Sequence, residues 1–493
     1  MLGVILEIHS IKHANMSEVL CGETDNTRYI KDYVENEKIH AEFAVVEENY
    51  VDRDFCIDYS KYYSSSHTKI HRVCRRVHFF RKPHSGRIEE LFESSEGTET
   101  LQKLYCGFTV IDGIYKDKKG CLTGHVGRTA LCTYCGSKDE CEKHDGKRSF
   151  FHKYRQKVSL FGHELTVDSL PFTSKDEDVG MCATAALWVA QFPLVERHGG
   201  NRLSQYEITD CASKIRLGLS GRRFPAGLED EQIIGYLYER GYEVECLYAT
   251  KVDGKFISAA IKTFVDAKIP IIASLSMQKV TTVDTSHGGE YTPYGTDCSS
   301  TEFVSDRDGH AVVISGYSVD NNGRLDGIYV HDDNIGPYAR VKFRDGDVKC
   351  WSYKDGEYVA HGSIKLDALI IPIYPKVKLP YVSVLDMCEK IQSKGLITAP
   401  YEIILIEGKD YKKEILRENY EVIDAKSLTN KGADGKIYPN YVTQEVMKML
   451  LPRFVWIVRC TYSGYKIDHM IDTTSNETRF IASYCLVKKL ARS

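Results

Sequence analysis

The sequence predicts an α+β protein of more than one domain. Three observations carry this. At 493 residues the chain is longer than one ordinary core organises. Hydrophobic residues make up 42% and charged residues 27%, the balance of a globular protein. Short runs of period-two alternation also mix along the chain with helical segments.

Residues 1–150 read as an N-terminal accessory α/β domain. GVILEIHSI, AEFAVVEENYV and KIHRVCRRVHFF are strand-like, RIEELFESSEGTETLQKLY is helical, and GFTVIDGI is a further strand. Residues 151–375 have the clearest plan. SFFHKYRQKVSLFGHELTVDSLPF alternates as strands, and MCATAALWVAQF reads as an Ala-rich helix stopped by Pro193. LSQYEITDCASKI is a second helix, with Ser204 and Glu207 at the spacing of a capping box. LEDEQIIGYLYERG is a third, with Gly241 just past its end. A strand, the helix GKFISAAIKTFVDAK and the strand IPIIASLS follow. Lys279–Gly309 is polar and reads as a loop long enough to be functional. Strands HAVVISGYSV and GIYVHDD flank a turn at Asn321-Asn322-Gly323, and YARVKF and SIKLDALIIPI complete the sheet. Residues 376–493 alternate helix and strand and read as a C-terminal α/β accessory domain.

Composition narrows function. A net charge of −4 gives no general pull towards nucleic acid or anionic lipid. No apolar run approaches the ~18 residues that cross a bilayer, so no membrane partner is expected. The start, MLGVILEI, lacks a basic leader and reads as a strand rather than a signal peptide. Sixteen cysteines are scattered without a framework spacing, which fits reduced thiols and a cytoplasmic location. The oligomeric state is not legible.

Cys182 opens the Ala-rich helix. A helix N-terminus carries about half a positive charge and unpaired N–H groups, both of which favour a thiolate. A buried structural thiol is the plain alternative. His310 opens an apolar strand next to Gly309, where a ring can face a cleft or simply solvent. The next strand ends in Val330-His331-Asp332-Asp333, so antiparallel pairing would bring an acid near His310 and hold its tautomer. Nucleophile, base and orienter thus occur in the order Cys, His, Asp.

DVGMCATAALW, GHAVVISGY and IYVHDDNIGPYARV resemble the three signature segments of papain-like cysteine peptidases. The likeness is to the bacterial branch with the bacteriocin-processing (double-glycine leader) peptidases and related phytochelatin-synthase-like acyl transferases. It covers roughly residues 160–372. GFTVIDGI, GHVGRTALCTY and FGHELTVDSLPF look like a lead-in of uncharacterised bacterial proteins with that fold.

The resemblance implies a papain-like domain with Cys182 as nucleophile, His310 as general base and Asp332 as third member, Asp333 being the backup. It implies hydrolysis of a peptide or isopeptide bond in a protein or peptide substrate, with no cofactor and no metal. An acyl transferase using the same thiolate, or a catalytically weak pseudopeptidase that binds a peptide, is the alternative. One position departs from the pattern. Where the family has a Gln oxyanion donor about six residues before the nucleophile, this chain has Asp176 beside Lys175. A carboxylate donates no hydrogen bond unless protonated.

Two weaker signals remain. Cys132-x-x-Cys135 with Cys141-x-x-His144 has zinc-like spacing, although it continues an apolar strand into a charged turn. Asp468, His469 and Asp472 are ligand types without a convincing pattern. Walker and GxGxxG loops are absent.

Overall fold

The computed structural model describes residues 7–134, 142–144, 147–215, 227–284, 301–354, 362–393 and 397–488, except 37, 95, 398, 399, 463, 464, 476 and 478. The chain forms two compact units. The first holds Met1–Arg240, Cys246–Gly254 and Pro270–Ile371; the second holds Gly241–Glu245, Lys255–Ile269 and Pro372–Ser493.

In the first unit, β1 (Glu7–Ser10), β2 (Phe43–Tyr50), β3 (Cys74–Phe80), β4 (Tyr105–Lys116) and β5 (Leu122–Leu131) form an antiparallel sheet in sequence order. Helices α1 (Met16–Val19), α2 (Asp25–Glu35), α3 (Arg53–Lys61), α4 (Ile88–Glu93) and α5 (Gly97–Leu104) fill its connections. After β6 (Glu142–His144) and β7 (Lys147–Phe151), β8 (Tyr154–Leu160) and β9 (His163–Ser169) make a hairpin. Its alternate residues Val158, Leu160, Leu165 and Val167 share one core with Phe80, Phe108, Leu101 and Phe55. Period-two alternation thus buries one face of the hairpin against the N-terminal sheet.

Three helices follow: α6 (Cys182–His198), α7 (Gln205–Ser213) and α8 (Asp230–Glu239). The Ser204–Glu207 capping box forms, with Ser204 Oγ accepting from the Glu207 N–H at 3.3 Å and Glu207 Oε2 accepting from the Ser204 N–H at 3.1 Å. Gly241 takes a φ of +82° just past α8, as its position predicts. Pro193 does not stop α6. Ala183–Leu194 are all buried, and burial on every side outweighs the one backbone bond the proline removes.

After β10 (Glu243–Tyr248) and α9 (Gly254–Asp266) come β11 (Ile271–Asp284), β12 (Thr301–Val319), β13 (Leu325–Asp332), β14 (Gly336–Arg344), β15 (Asp347–Tyr353) and β16 (Gly362–Ile373). Each pairs antiparallel with the next, and β16 pairs back onto β11, closing a six-stranded barrel. β7 adds along β12.

This overturns the expected papain-like α+β fold with flanking α/β domains. The chain is β-rich, 30% helix and 39% strand, with several antiparallel sheets and the barrel. Alternation identifies a strand but not its partner, and here every strand pair with a described register is antiparallel. The polar segment Lys279–Gly309 shows the same effect. Lys279–Asp284 and Thr301–Gly309 are paired strand rather than loop, from Lys279↔Asp306 to Asp284↔Thr301. Residues 285–300 lie outside the described residues.

The second unit is a five-stranded antiparallel sheet. It comprises β17 (Tyr401–Glu407), β18 (Tyr420–Asp424), β19 (Phe454–Tyr462), β20 (Tyr465–Asp472) and β21 (Phe480–Lys488), in the order β17-β19-β20-β21-β18. α10 (Tyr381–Ser393), α11 (Gly408–Arg417) and α12 (Thr443–Lys448) complete it. Glu245 caps α10, accepting from the Tyr381 and Val382 N–H groups at 3.0 and 3.3 Å. Thr263 of α9 donates to the Ile403 carbonyl at 2.7 Å, and Phe264 meets the edge of Trp456.

Candidate active site

Cys182 is the first residue of α6. The residue before it, Met181, is extended and makes no side-chain cap, so the first-turn N–H groups are not closed off by a capping side chain. The preceding turn is tight. The Val179 and Gly180 N–H groups both donate to the Asp176 carbonyl, at 3.0 and 2.7 Å. A Cβ on Gly180 would lie 2.6 Å from Thr184 Cγ2, so only glycine lets this turn rest on the helix.

α6 packs on β12, which carries His310 opposite Leu275 of β11. The β12–β13 pairing, with Val313 opposite His331, brings the end of β13 alongside His310. His310 Nε2 lies 3.0 Å from Asp332 Oδ1 and 3.9 Å from Asp333 Oδ1. The Cys182 thiol is near enough to the His310 ring to help raise its pKa. Asp332 occupies Nε2, which leaves Nδ1 as the nitrogen for the thiol. His310 and Asp332 therefore meet, and Cys182 stands at the start of the helix packed on the His310 strand.

Asp332 is fully engaged. Beyond His310, its Oδ1 accepts the Asn334 N–H at 3.0 Å, and its Oδ2 accepts the Tyr353 hydroxyl. Burial opposes charge on His310, yet its pKa stands well above the usual range. The Asp332 charge and hydrogen bond, the Cys182 thiol and the Asp333 charge outweigh the burial. For Asp332, burial is likewise overcome, by His310, Tyr353 and the Asn334 N–H, and its pKa is lowered.

Asp333 differs. It is 4% exposed, and neither of its oxygens has a hydrogen-bond partner among the described residues. Burial pushes its carboxyl up to about 6, with Asp332 adding and His310 and Lys175 opposing. The neighbouring His331 is structural. Its Nε2 faces the Leu170 carbonyl at 3.0 Å and its Nδ1 accepts the Tyr338 N–H at 3.0 Å, and burial lowers its pKa to about 4.

No protein-family model matches the chain, and no curated protein sequence does.

Asp176 does not serve as a donor. It is buried, accepts the Tyr63 hydroxyl, and its Oδ1 accepts the Asp178 N–H at 3.2 Å. Lys175 pairs with Glu177 at 3.2 Å. The donors left for an oxyanion are the backbone N–H groups at the start of α6.

Cys135 and Cys141 of the zinc-like pattern lie outside the described residues. Asp468 is bound in two places by Arg459, at 2.7 and 2.8 Å, while His469 faces Ser483 Oγ at 2.8 Å, so those residues make no common site. Among the described residues the group able to hold a metal is His310, Asp332 and Asp333, with donor atoms within 4.8 Å of one another. Asp332's bonds to His310, Tyr353 and Asn334 suit an orienting carboxylate better than a ligand. Tyr353 and the isolation of Asp333 were not foreseen. Tyr353 stands 21 residues after Asp332, and no local pattern marks it.

Proposed function

We propose that the protein is a thiol-dependent acyl hydrolase that cleaves a peptide or isopeptide bond, with Cys182 as nucleophile, His310 as general base and acid, and Asp332 as orienter. The single observation that carries this is the buried His310–Asp332 hydrogen bond with the Cys182 thiol, at the start of α6, acting on the same ring. A buried histidine tied to a thiol on one side and a carboxylate on the other is the arrangement that activates a nucleophile.

In the proposed reaction the Cys182 sulfur attacks the carbonyl carbon, forming a C–S bond, with its proton residing on His310. The carbonyl oxygen becomes an oxyanion facing the first N–H groups of α6. His310 then gives its proton to the leaving nitrogen as the C–N bond breaks, leaving a thioester. Water attacks the thioester, His310 takes its proton, and the C–S bond breaks to release the acid. Thirteen described cysteines are free thiols, and no described helix is long and apolar enough to cross a membrane. Both fit the cytoplasm as the proposed compartment. The fold is the barrel described above, so the chemistry rests on the constellation alone.

The test uses p-nitrophenyl acetate as a generic acyl donor. One equivalent of p-nitrophenol should appear per chain, with acetyl on Cys182 by mass spectrometry. Cys182→Ser should abolish the burst, and His310→Ala should slow it by roughly a hundredfold or more. A burst that survives His310→Ala unchanged refutes the reading. An added amine acceptor separates hydrolysis from transfer, since a transferase would yield the amide.

A further inference from the structure

β4 and β5 pair antiparallel, with Gly107 opposite Leu131. One step further along the same register stand Cys106 and Cys132, and the Cys132 N–H donates to the Cys106 carbonyl at 2.8 Å. Residues directly opposite each other project to the same face of a sheet, with Cα atoms about 4.5–5.5 Å apart. That separation lies inside the range a disulfide spans. Both thiols are free, and Cys106 is fully buried while Cys132 is partly exposed.

A cation completes the setting. The Cys106 sulfur lies 3.5 Å from the Leu104 carbonyl oxygen and 3.8 Å from that of Ile39. Arg81 donates to the same two oxygens, from its N–H at 2.9 Å and its Nε at 2.8 Å, so its charge stands beside the pair. The neighbouring Cys106 thiol, with Arg81 adding and burial opposing, holds the Cys132 thiol below its ordinary pKa. Cys132 and burial hold Cys106 above the ordinary value, so the proton stays on the buried partner.

A partly exposed sulfur that ionises readily, facing a buried protonated thiol, has the form of an attacking and a resolving cysteine. We propose that Cys106 and Cys132 are a reversible redox pair, joined into a disulfide by a hydroperoxide and parted again by a small thiol. The Cys132 sulfur attacks one oxygen of hydrogen peroxide, the O–O bond breaks, water leaves, and Cys132 becomes a sulfenic acid. The Cys106 sulfur then attacks the Cys132 sulfur. The S–S bond forms, the S–O bond breaks, and the Cys106 proton leaves with the hydroxyl as a second water. Two electrons pass from the pair to the peroxide, and two small thiols return them as they become their own disulfide. Cys182 takes no part, so this inference stands apart from the thiol-hydrolase reading.

The test uses the full chain, reduced and then freed of reductant. Hydrogen peroxide is added in small excess, remaining thiols are capped with N-ethylmaleimide in denaturant, and the chain is digested with trypsin without reduction. Mass spectrometry looks for peptide 104–116 joined to peptide 129–138, and fragmentation decides whether Cys132 or Cys135 carries the bond. The Cys106–Cys132 link should form about tenfold faster than the exposed Cys121 and Cys211 are oxidised, and reduced glutathione should remove it. In Cys106→Ser, Cys132 should instead accumulate a sulfenic acid that dimedone traps. The inference is overturned if Cys132 joins Cys135, or if Cys106 and Cys132 stay free while Cys121 and Cys211 oxidise. It is also overturned if the link forms as fast in the urea-unfolded chain, because the strand register would then have no part in it. The unaltered protein decides even if the variant fails to fold, since the linked peptide needs no substitution.

Discussion

Two neighbouring carboxylates flank His310 and carry opposite burdens. Asp332 is satisfied by His310, the Tyr353 hydroxyl and the Asn334 N–H; no other side chain among the described residues donates to Asp333. A carboxyl whose folded pKa rises to about 6, from an unfolded value near 3.9, is favoured folded when neutral. Its penalty is therefore absent below about pH 4, grows through pH 6 and is complete above about pH 7. Asp333→Asn should stabilise the protein by about 1–2 kcal/mol at pH 8, with the gain shrinking as pH falls towards 4. Thermal melts of both proteins across that range check it, and a loss of stability at pH 8 would show that an unseen donor holds the carboxylate. At this scale the sequence was informative about types and order. Cys182 at a helix start and Asp332 at a strand end are visible as element boundaries, whereas His310, read as a strand start, lies inside β12 (Thr301–Val319). Tyr353 and Tyr63 were not visible, because each reaches its carboxylate from a remote segment.

At the scale of elements, α6 and the turn before it set the nucleophile. Gly180 is required by contact, since any Cβ there meets Thr184 Cγ2 at 2.6 Å. Gly180→Ala should displace the first turn of α6. We expect a stability loss of roughly 1–3 kcal/mol and a slower acylation of Cys182. Adding Thr184→Ser removes the nearest clashing atom and keeps the hydroxyl that meets Thr209 Oγ1 at 2.9 Å, but it leaves Thr184 Cβ at 2.8 Å and Oγ1 at 3.0 Å from the new Cβ, so it should restore only part of both. Melting temperature and p-nitrophenyl acetate burst rate measure this. Failure of the second change to recover either quantity would contradict the contact. The helices themselves were legible: the Ser204–Glu207 box and Gly241 act locally, and local chemistry is what a single sequence displays. Pro193 was misleading because tertiary burial decides there. The paired arms Lys279–Asp284 and Thr301–Gly309 were illegible because polar composition imitates a loop, while their stability comes from pairing with each other.

At the scale of the whole molecule, the expected papain-like architecture gave way to a closed antiparallel barrel and two five-stranded sheets. Which strand pairs with which is a long-range matter, and periodicity carries none of it. The place of Lys255–Ile269 in the second unit is equally unmarked in the sequence. Each unit also holds a buried acid titrating near neutrality. Burial raises Asp58 to about 7, against its bonds to Ser204 and the Tyr206 N–H, and raises Glu245 to about 7 against the Tyr381 and Val382 N–H groups. Both bind protons more tightly folded than unfolded, so stability should fall as pH rises through about 7. His310, with its raised pKa, acts in the same direction. Below about 6.5 the buried neutral His78 and His331 act oppositely, so the clean window is pH 6.5–8.5. Melting temperature should decline across it, and Asp58→Asn and Glu245→Gln should each flatten the decline. If the units melt separately, each variant should move only its own transition. A flat or rising profile would contradict this.

The central claim is that Cys182, His310 and Asp332 work as one unit, and a double-mutant cycle on the acylation rate tests it most directly. Members of such a unit lose far less together than the product of their separate losses, because the second change removes a partner already idle. With p-nitrophenyl acetate, His310→Ala and Asp332→Asn should each slow acylation of Cys182. The account predicts that the double variant is no slower than His310→Ala alone. Losses that multiply would contradict it, because they would mean that Asp332 acts on Cys182 by some route other than His310.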